Sequence, residues 1–141
     1  MKALILALAL SAFSDAAFAA SEGAKTSIQI AVGGKTYAVR LEDSETARAI
    51  AAKLPLALEM KRFGGHEFYA SLPFTPPFAA RRTSKIKAGG VYYWDGWNAF
   101  VINYIDWDIS PYEVVHIGDI EDASICAALE AAAEPLAVEV Q

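Results

Sequence analysis

Cysteine is almost missing from this sequence. Cys126 is the only one in 141 residues, so no internal disulfide can form and burial alone must hold the fold. Its surroundings, "ASICAALEAAA", are an apolar helical run, where a lone cysteine packs as a small core residue. Histidine is nearly as scarce. His66 and His116 stand far apart with no ligand spacing around either, which speaks against zinc. Asp106 and Asp108 form the one carboxylate pair of note, and two oxygens without further ligands make a poor metal site. Positive charge is in deficit: 12 Lys and Arg against 17 Asp and Glu give a net charge of −5. That sign excludes nucleic acid as an expected partner, because phosphate binding needs a basic surface. There is no Gly-x-Ser-x-Gly elbow and no glycine-rich phosphate cradle, so no catalytic residue and no cofactor are expected.

Long hydrophobic runs are also lacking. The longest, Ala3 to Phe13, is too short for a bilayer span of about 20 residues. It follows Lys2 and precedes small residues, and Ala17-Phe18-Ala19 fits the small-x-small rule for signal peptidase. Residues 1–19 therefore read as a signal peptide cleaved after Ala19. Residues 20–26 read as a flexible leader and residues 27–141 as one domain. Lys2 and Asp15 leave together, so cleavage does not change the net charge. The expected location is periplasmic or secreted, with no membrane attachment after cleavage.

What is present is β-pattern. "SIQIAVGGKTYAVRLE" alternates on both sides of Gly33-Gly34, a two-residue hairpin signature. "DSETARAIAAKLP" changes to helical period, with Asp43 or Ser44 as cap and Pro55 as stop. "LALEMKRF" and "EFYASL" are strands around Gly64-Gly65. Pro73 to Gly90 has no periodicity and reads as a long loop, a lid or a binding segment. "VYYW" and "WNAFVINYI" are strands around an Asp95-Gly96 turn. "YEVVHIG" is a strand, "DIEDASICAALEAAA" a helix and "LAVEV" a closing strand. About eight short strands and two helices imply a mainly β (α+β) fold in which the sheet closes into a barrel and removes its edges.

The motif order resembles the bacterial cyclophilin-like domain family over roughly Ser27 to Val140. The residues that carry the likeness are Asp43, Thr46, Ala47, Leu54, Pro55, Leu56, Tyr69, Leu72, Pro73, Gly89, Tyr92, Gly118 and Ile120. The resemblance implies a closed eight-stranded cyclophilin-like β-barrel with two covering helices, in a family whose activities are mostly unassigned.

One stretch stands out: "KRFGGHEFYASLP", from Lys61 to Pro73, gathers Arg62, His66 and Tyr69 around a glycine turn. A histidine there can move protons or switch binding with pH. The alternative is a hairpin tip with Arg62, His66 and Glu67 solvated and Phe63, Phe68 or Tyr69 as anchors. The aromatic set from Tyr92 to Trp107 is denser than a small core needs. One face of the "WNAFVINYI" strand suits the barrel interior, and the other suits an exposed aromatic surface for an apolar ligand or a proline-bearing peptide. The expected ligand-binding residues are Arg62, Phe63, His66, Tyr69, Tyr92, Trp94 and Trp97, and the expected partner is a small molecule or short peptide. Two rival readings stand beside this binding module. One is a divergent peptidyl-prolyl cis-trans isomerase with Arg62 polarising the proline carbonyl. The other is a structural partner protein docking through Arg81, Arg82, Lys85 and Lys87.

Overall fold

Alternating apolar residues and glycine turns build a ring of strands. The computed structural model describes residues 26–141; the expected signal peptide and nearly all of the leader lie outside the described residues. Strands β1 (Ser27–Val32) and β2 (Lys35–Leu41) form the first hairpin, with Gly33 and Gly34 at φ of 58° and 81°. Helix α1 (Glu45–Ala51) starts where the Ser44 side chain accepts the Ala47 N–H at 3.1 Å, with Glu45 complementing the dipole. The chain continues through β3 (Leu56–Phe63), β4 (Glu67–Ser71), β5 (Arg82–Thr83), β6 (Lys85–Ile86), β7 (Gly90–Trp94) and β8 (Ala99–Asn103). It ends with β9 (Trp107–Asp108), β10 (Val114–Ile120), α2 (Ser124–Ala131) and β11 (Leu136–Val140).

Eight strands pair antiparallel in the order β2-β1-β11-β3-β4-β8-β7-β10, and β10 returns to β2 through Gly118↔Leu41, Asp119↔Arg40 and Ile120↔Val39. The sheet is thus closed, a mainly β barrel with two helices. Strand β5 adds to the free side of β10, and β6 with β9 makes a separate small ribbon. Gly118 sits at the seam because a Cβ there would fall on the Arg40 carbonyl and within 3.0 Å of Val39 Cγ1. Only glycine lets the two backbones approach this closely.

The interior is filled by Ile30, Met60, Phe68, Tyr93, Phe100 and Ile117, among others. Helix α1 adds Ala47 and Ile50, and α2 adds Ile125 and Leu129 to the same core. Each large apolar side chain buried here contributes about 1.5–3 kcal/mol, which is how the fold holds without a disulfide. Cys126 is partly buried against this core, and burial pushes its thiol pKa up. Such a thiol is a poor nucleophile.

Three expectations are corrected. The outer face of β8 is not an open aromatic surface. Ala99 and Val101 are buried in a second cluster with Ile86, Tyr92 and Val114, and Tyr69, Trp94 and Ile109 pack against it. The segment from 73 to 90 is not structureless: Phe74, Phe78 and Ala80 pack on the core, Thr46 Oγ1 donates to the Pro77 carbonyl at 2.6 Å, and β5 and β6 follow. Asp95-Gly96 is not a two-residue turn. Asp95–Trp97 is a 3-10 turn that ends at Asn98, left-handed at φ 49°. Asn98 is pulled there by tertiary bonds, because its Nδ2 donates to the Phe74 and Leu72 carbonyls and its Oδ1 accepts the Tyr93 hydroxyl at 2.6 Å. Asparagine tolerates that backbone region better than most residues.

Candidate functional site

The Gly64-Gly65 turn, with φ of 63° and 70°, sets Phe63 opposite Glu67 and Lys61 opposite Tyr69. Strand alternation then fixes the faces. Phe68 points into the barrel, while Phe63, Glu67 and Tyr69 point outward. The His66 ring folds back over Gly64, so close that a Cβ on Gly64 would lie 2.6 Å from His66 Nε2. The first glycine is therefore needed both for the turn and for the placement of the imidazole.

Outside the barrel, these residues meet the 3-10 turn and the segment before β10 to form a cleft of about 200 Å³. Its walls are the rings of Phe63, Trp94, Trp97 and Tyr112, with Ile109 and Val114 adding aliphatic surface. Trp97 lies 5.2 Å from Phe63 at 87° and 4.5 Å from Trp94 at 66°, centroid to centroid. Tyr69 backs Trp97 at 5.0 Å. Phe63, Trp97 and Tyr112 remain 47%, 42% and 62% exposed, a concentration of apolar surface beside a hollow.

His66 and Glu67 supply the polar end. His66 is only 5% exposed and stacks on Trp107 at 5.8 Å. Asn103 Nδ2 donates to the Lys87 and Ile105 carbonyls, which leaves its Oδ1 to accept the His66 Nδ1–H hydrogen bond at 3.2 Å. The network thus assigns the Nδ1–H tautomer to the neutral ring. Glu67 has a side chain 15% exposed, and His66 Nδ1 at 3.4 Å is its one ion-pair neighbour among the described residues. Burial pushes the Glu67 carboxyl up to about 7.

Of the seven expected site residues, Phe63, His66, Tyr69, Trp94 and Trp97 come together here. Arg62 does not. It faces the opposite side of β3, where its Nη2 donates to the carbonyls of Leu129 at 3.1 Å, Glu130 at 3.3 Å and Ala132, and its Nη1 donates to Tyr104 Oη. With its plane over the rings of Phe68 and Tyr104, it satisfies the C-terminal end of α2. Tyr92 is also elsewhere: it is 3% exposed and its hydroxyl accepts the Lys87 N–H at 2.9 Å. Four cleft residues were not among the expected ones: Glu67, Ile109, Tyr112 and Val114. Glu67 could have been found, since the three-residue turn Gly64-Gly65-His66 pairs it with Phe63 on one face. Tyr112 comes from a segment without periodicity, and no local pattern points to it.

Tyr92 borders a second, broader cleft of about 950 Å³ at the barrel seam. There His116 Nδ1 lies 2.9 Å from Glu42 and Nε2 lies 3.0 Å from Asp119, with Arg48, Arg81, Arg82, Lys85 and Lys87 around them. A bulge between His116 and Gly118 turns His116 and Asp119, three apart, to the same side. Their donor atoms and that of Glu42 lie within 4.8 Å of one another, a spacing a cation could use. The imidazole already engages both carboxylates through both nitrogens, so a cation would have to displace one of those bonds.

A closed antiparallel barrel with two helices and a flank cleft defines the class of protein. Residues 30–141 match the Cyclophilin-like family, and the chain belongs to it. In fold it is similar to the solution structure of the hypothetical protein AF2241 from Archaeoglobus fulgidus. That similarity has a TM-score of 0.59 and 22% identity, and it covers 83% of this chain and 94% of that one. A comparison with curated proteins returns no match.

Proposed function

We propose that this member of the cyclophilin-like family is an exported, non-catalytic binding module that takes a small molecule or short peptide in the aromatic cleft. The observation that carries this reading is the convergence of Phe63, Trp94, Trp97 and Tyr112 around one hollow with two polar groups, His66 and Glu67, at its end. Mostly apolar walls with a few placed polar groups are the usual make-up of a ligand site. The volume of about 200 Å³ is below the roughly 300–1,000 Å³ of drug-sized pockets, so the ligand is small or enters by one side chain.

Tryptophan fluorescence and thermal shift against metabolite and tripeptide libraries test the reading. A true ligand quenches Trp94 and Trp97 and raises the melting temperature, with about 2.7 kcal/mol of stabilisation at a hundredfold excess over Kd. Trp97→Ala abolishes both responses. A library in which no compound of any charge does either sinks the reading.

The isomerase alternative needs a guanidinium free to polarise a carbonyl. Arg62 instead spends its donors on α2 and Tyr104. A protease-coupled assay on a proline tetrapeptide is expected to stay flat, and turnover lost in Arg62→Ala would reverse this preference.

Export is supported by the charged start, apolar run and small-x-small site of residues 1–19. Among the described residues, no helix is long and apolar enough to cross a membrane. N-terminal sequencing of the periplasmic form is expected to begin at Ala20; an intact Met1 would refute cleavage.

A further inference from the structure

We infer that the aromatic cleft selects a small organic cation bearing an alkylated ammonium group, caged by Trp97, Trp94 and Phe63 with Glu67 as counter-charge. This rests on the binding reading above and narrows it to one ligand chemistry.

The rings line the hollow as a crossed aromatic wall. Phe63 and Trp97 meet at 87°, Trp94 and Trp97 at 66°, and Trp94 and Tyr112 at 75°. With centroids 5.2 Å and 4.5 Å apart, Phe63, Trp97 and Trp94 pack edge to face into one continuous wall, and that wall turns its remaining faces and edges to the hollow. A face of Trp is the strongest aromatic attractor of a cation.

Nothing among the described residues already fills that role. Where this protein sets a cation over a ring it does so elsewhere: Arg62 on Phe68 and Tyr104, Arg82 on Phe78, Lys35 on Tyr37 and Lys53 on Phe74. No lysine or arginine lines the cleft, yet a carboxylate does. A half-enclosed anion without a permanent cation is costly in the free protein, and a ligand cation relieves that cost. A neutral or anionic ligand does not.

The size agrees. About 200 Å³ holds a trimethylammonium group on a short stem and excludes a peptide of several residues.

Protonation couples to this site. Because the Glu67 carboxyl is held near 7 by burial, cation binding draws off its proton and tightens as pH rises. The groups that face Glu67 from neighbouring elements are four. His66, from the turn, lies 3.4 Å away through Nδ1. Lys61 comes from the same outer face of β3, and Tyr112 from the segment before β10. Asn103, opposite on β8, is neutral.

Choline and its neutral isostere 3,3-dimethylbutan-1-ol, titrated against tryptophan emission of the mature chain, separate the possibilities. Choline is expected to quench saturably and at least tenfold more tightly than the isostere. Its affinity should rise about tenfold between pH 6 and pH 8, as a carboxyl of pKa about 7 ionises. Glu67→Gln, equal in shape, should remove the preference for choline over its isostere. Tyr112→Ala, at an exposed position, should weaken choline severalfold without unfolding the chain. Equal affinity for the two compounds, or an unchanged preference in Glu67→Gln, overturns the inference. If neutral library compounds bind and choline does not, the inference falls and the binding reading stands. If nothing of any charge binds, both fall.

Discussion

Glu67 holds its proton more tightly in the folded chain than in the unfolded one, because burial lifts its carboxyl from 4.5 to about 7. The consequence for stability has a definite sign. Below pH 4.5 both states are protonated and Glu67 adds no pH dependence. Between 4.5 and 7 the unfolded chain ionises and the folded one resists, so stability falls, and above 7 the loss is complete. The full shift corresponds to at most about 3 kcal/mol, reduced to roughly 2 kcal/mol because the carboxyl keeps some contact with water. Glu67→Gln should match the parent at pH 4 and exceed it by about 2 kcal/mol at pH 8, read from urea midpoints. Parallel curves for the two proteins would refute this. Arg62 makes the opposite kind of contribution. Its donors satisfy the last carbonyls of α2, and Arg62→Met keeps the apolar stem but removes every one of those bonds. The expected loss is about 3 kcal/mol in chemical denaturation. Arg62→Lys should recover little, since a point charge cannot bond several carbonyls and Tyr104 at once. Ligand affinity of the folded protein should not change in either variant, because Arg62 lies on the other side of β3.

At the scale of elements, the seam between β2 and β10 is the part most sensitive to a single methyl group. Gly118→Ala places a Cβ against the Arg40 carbonyl, and neither backbone can yield without losing the pairs Gly118↔Leu41 and Asp119↔Arg40. We expect a loss of about 3 kcal/mol by urea titration, typical of overpacking against rigid backbone; a change under 1 kcal/mol would mean the seam is pliant. This seam also marks the limit of what local sequence reveals. The hairpins at Gly33-Gly34 and Gly64-Gly65 were legible because two glycines between alternating runs state the turn chemistry directly. Helix α1 was legible from Ser44 and the stripe of Ala47, Ile50 and Ala51. Closure followed from strand number and from family resemblance, but no local pattern names Arg40 as the neighbour of Asp119. The Asp95-Gly96 turn was misread for the same reason: its form depends on Asn98 bonding Leu72 and Phe74, more than 20 residues away in sequence. In the cleft, aromatic excess and the glycine turn were visible in advance. The sorting of Arg62 inward and Glu67 outward required knowing which face of β3 and β4 lines the barrel.

Across the whole molecule, the two apolar clusters lie back to back on shared strands. Val91, Tyr93, Phe100, Ile102 and Val115 face the barrel interior, while Tyr92, Ala99, Val101 and Val114 from the same β7, β8 and β10 face the outer cluster that supports the cleft. Losing either cluster frees the strands that carry the other, so the flank has no means of melting alone. The tryptophans make this testable, since Trp94, Trp97 and Trp107 all sit on the outer side and none is in the interior core. Tryptophan emission should report the flank, and far-UV circular dichroism the barrel. In urea, both are expected to give one midpoint and one slope, as for a single cooperative domain. Trp97→Ala should leave the shared midpoint within about 1 kcal/mol of the parent, because that ring packs mainly on other exposed rings. An emission midpoint clearly below the circular dichroism midpoint would show that the cleft opens on an intact barrel. The site would then be a separately folding flap, not a rigid extension of β7, β8 and β10.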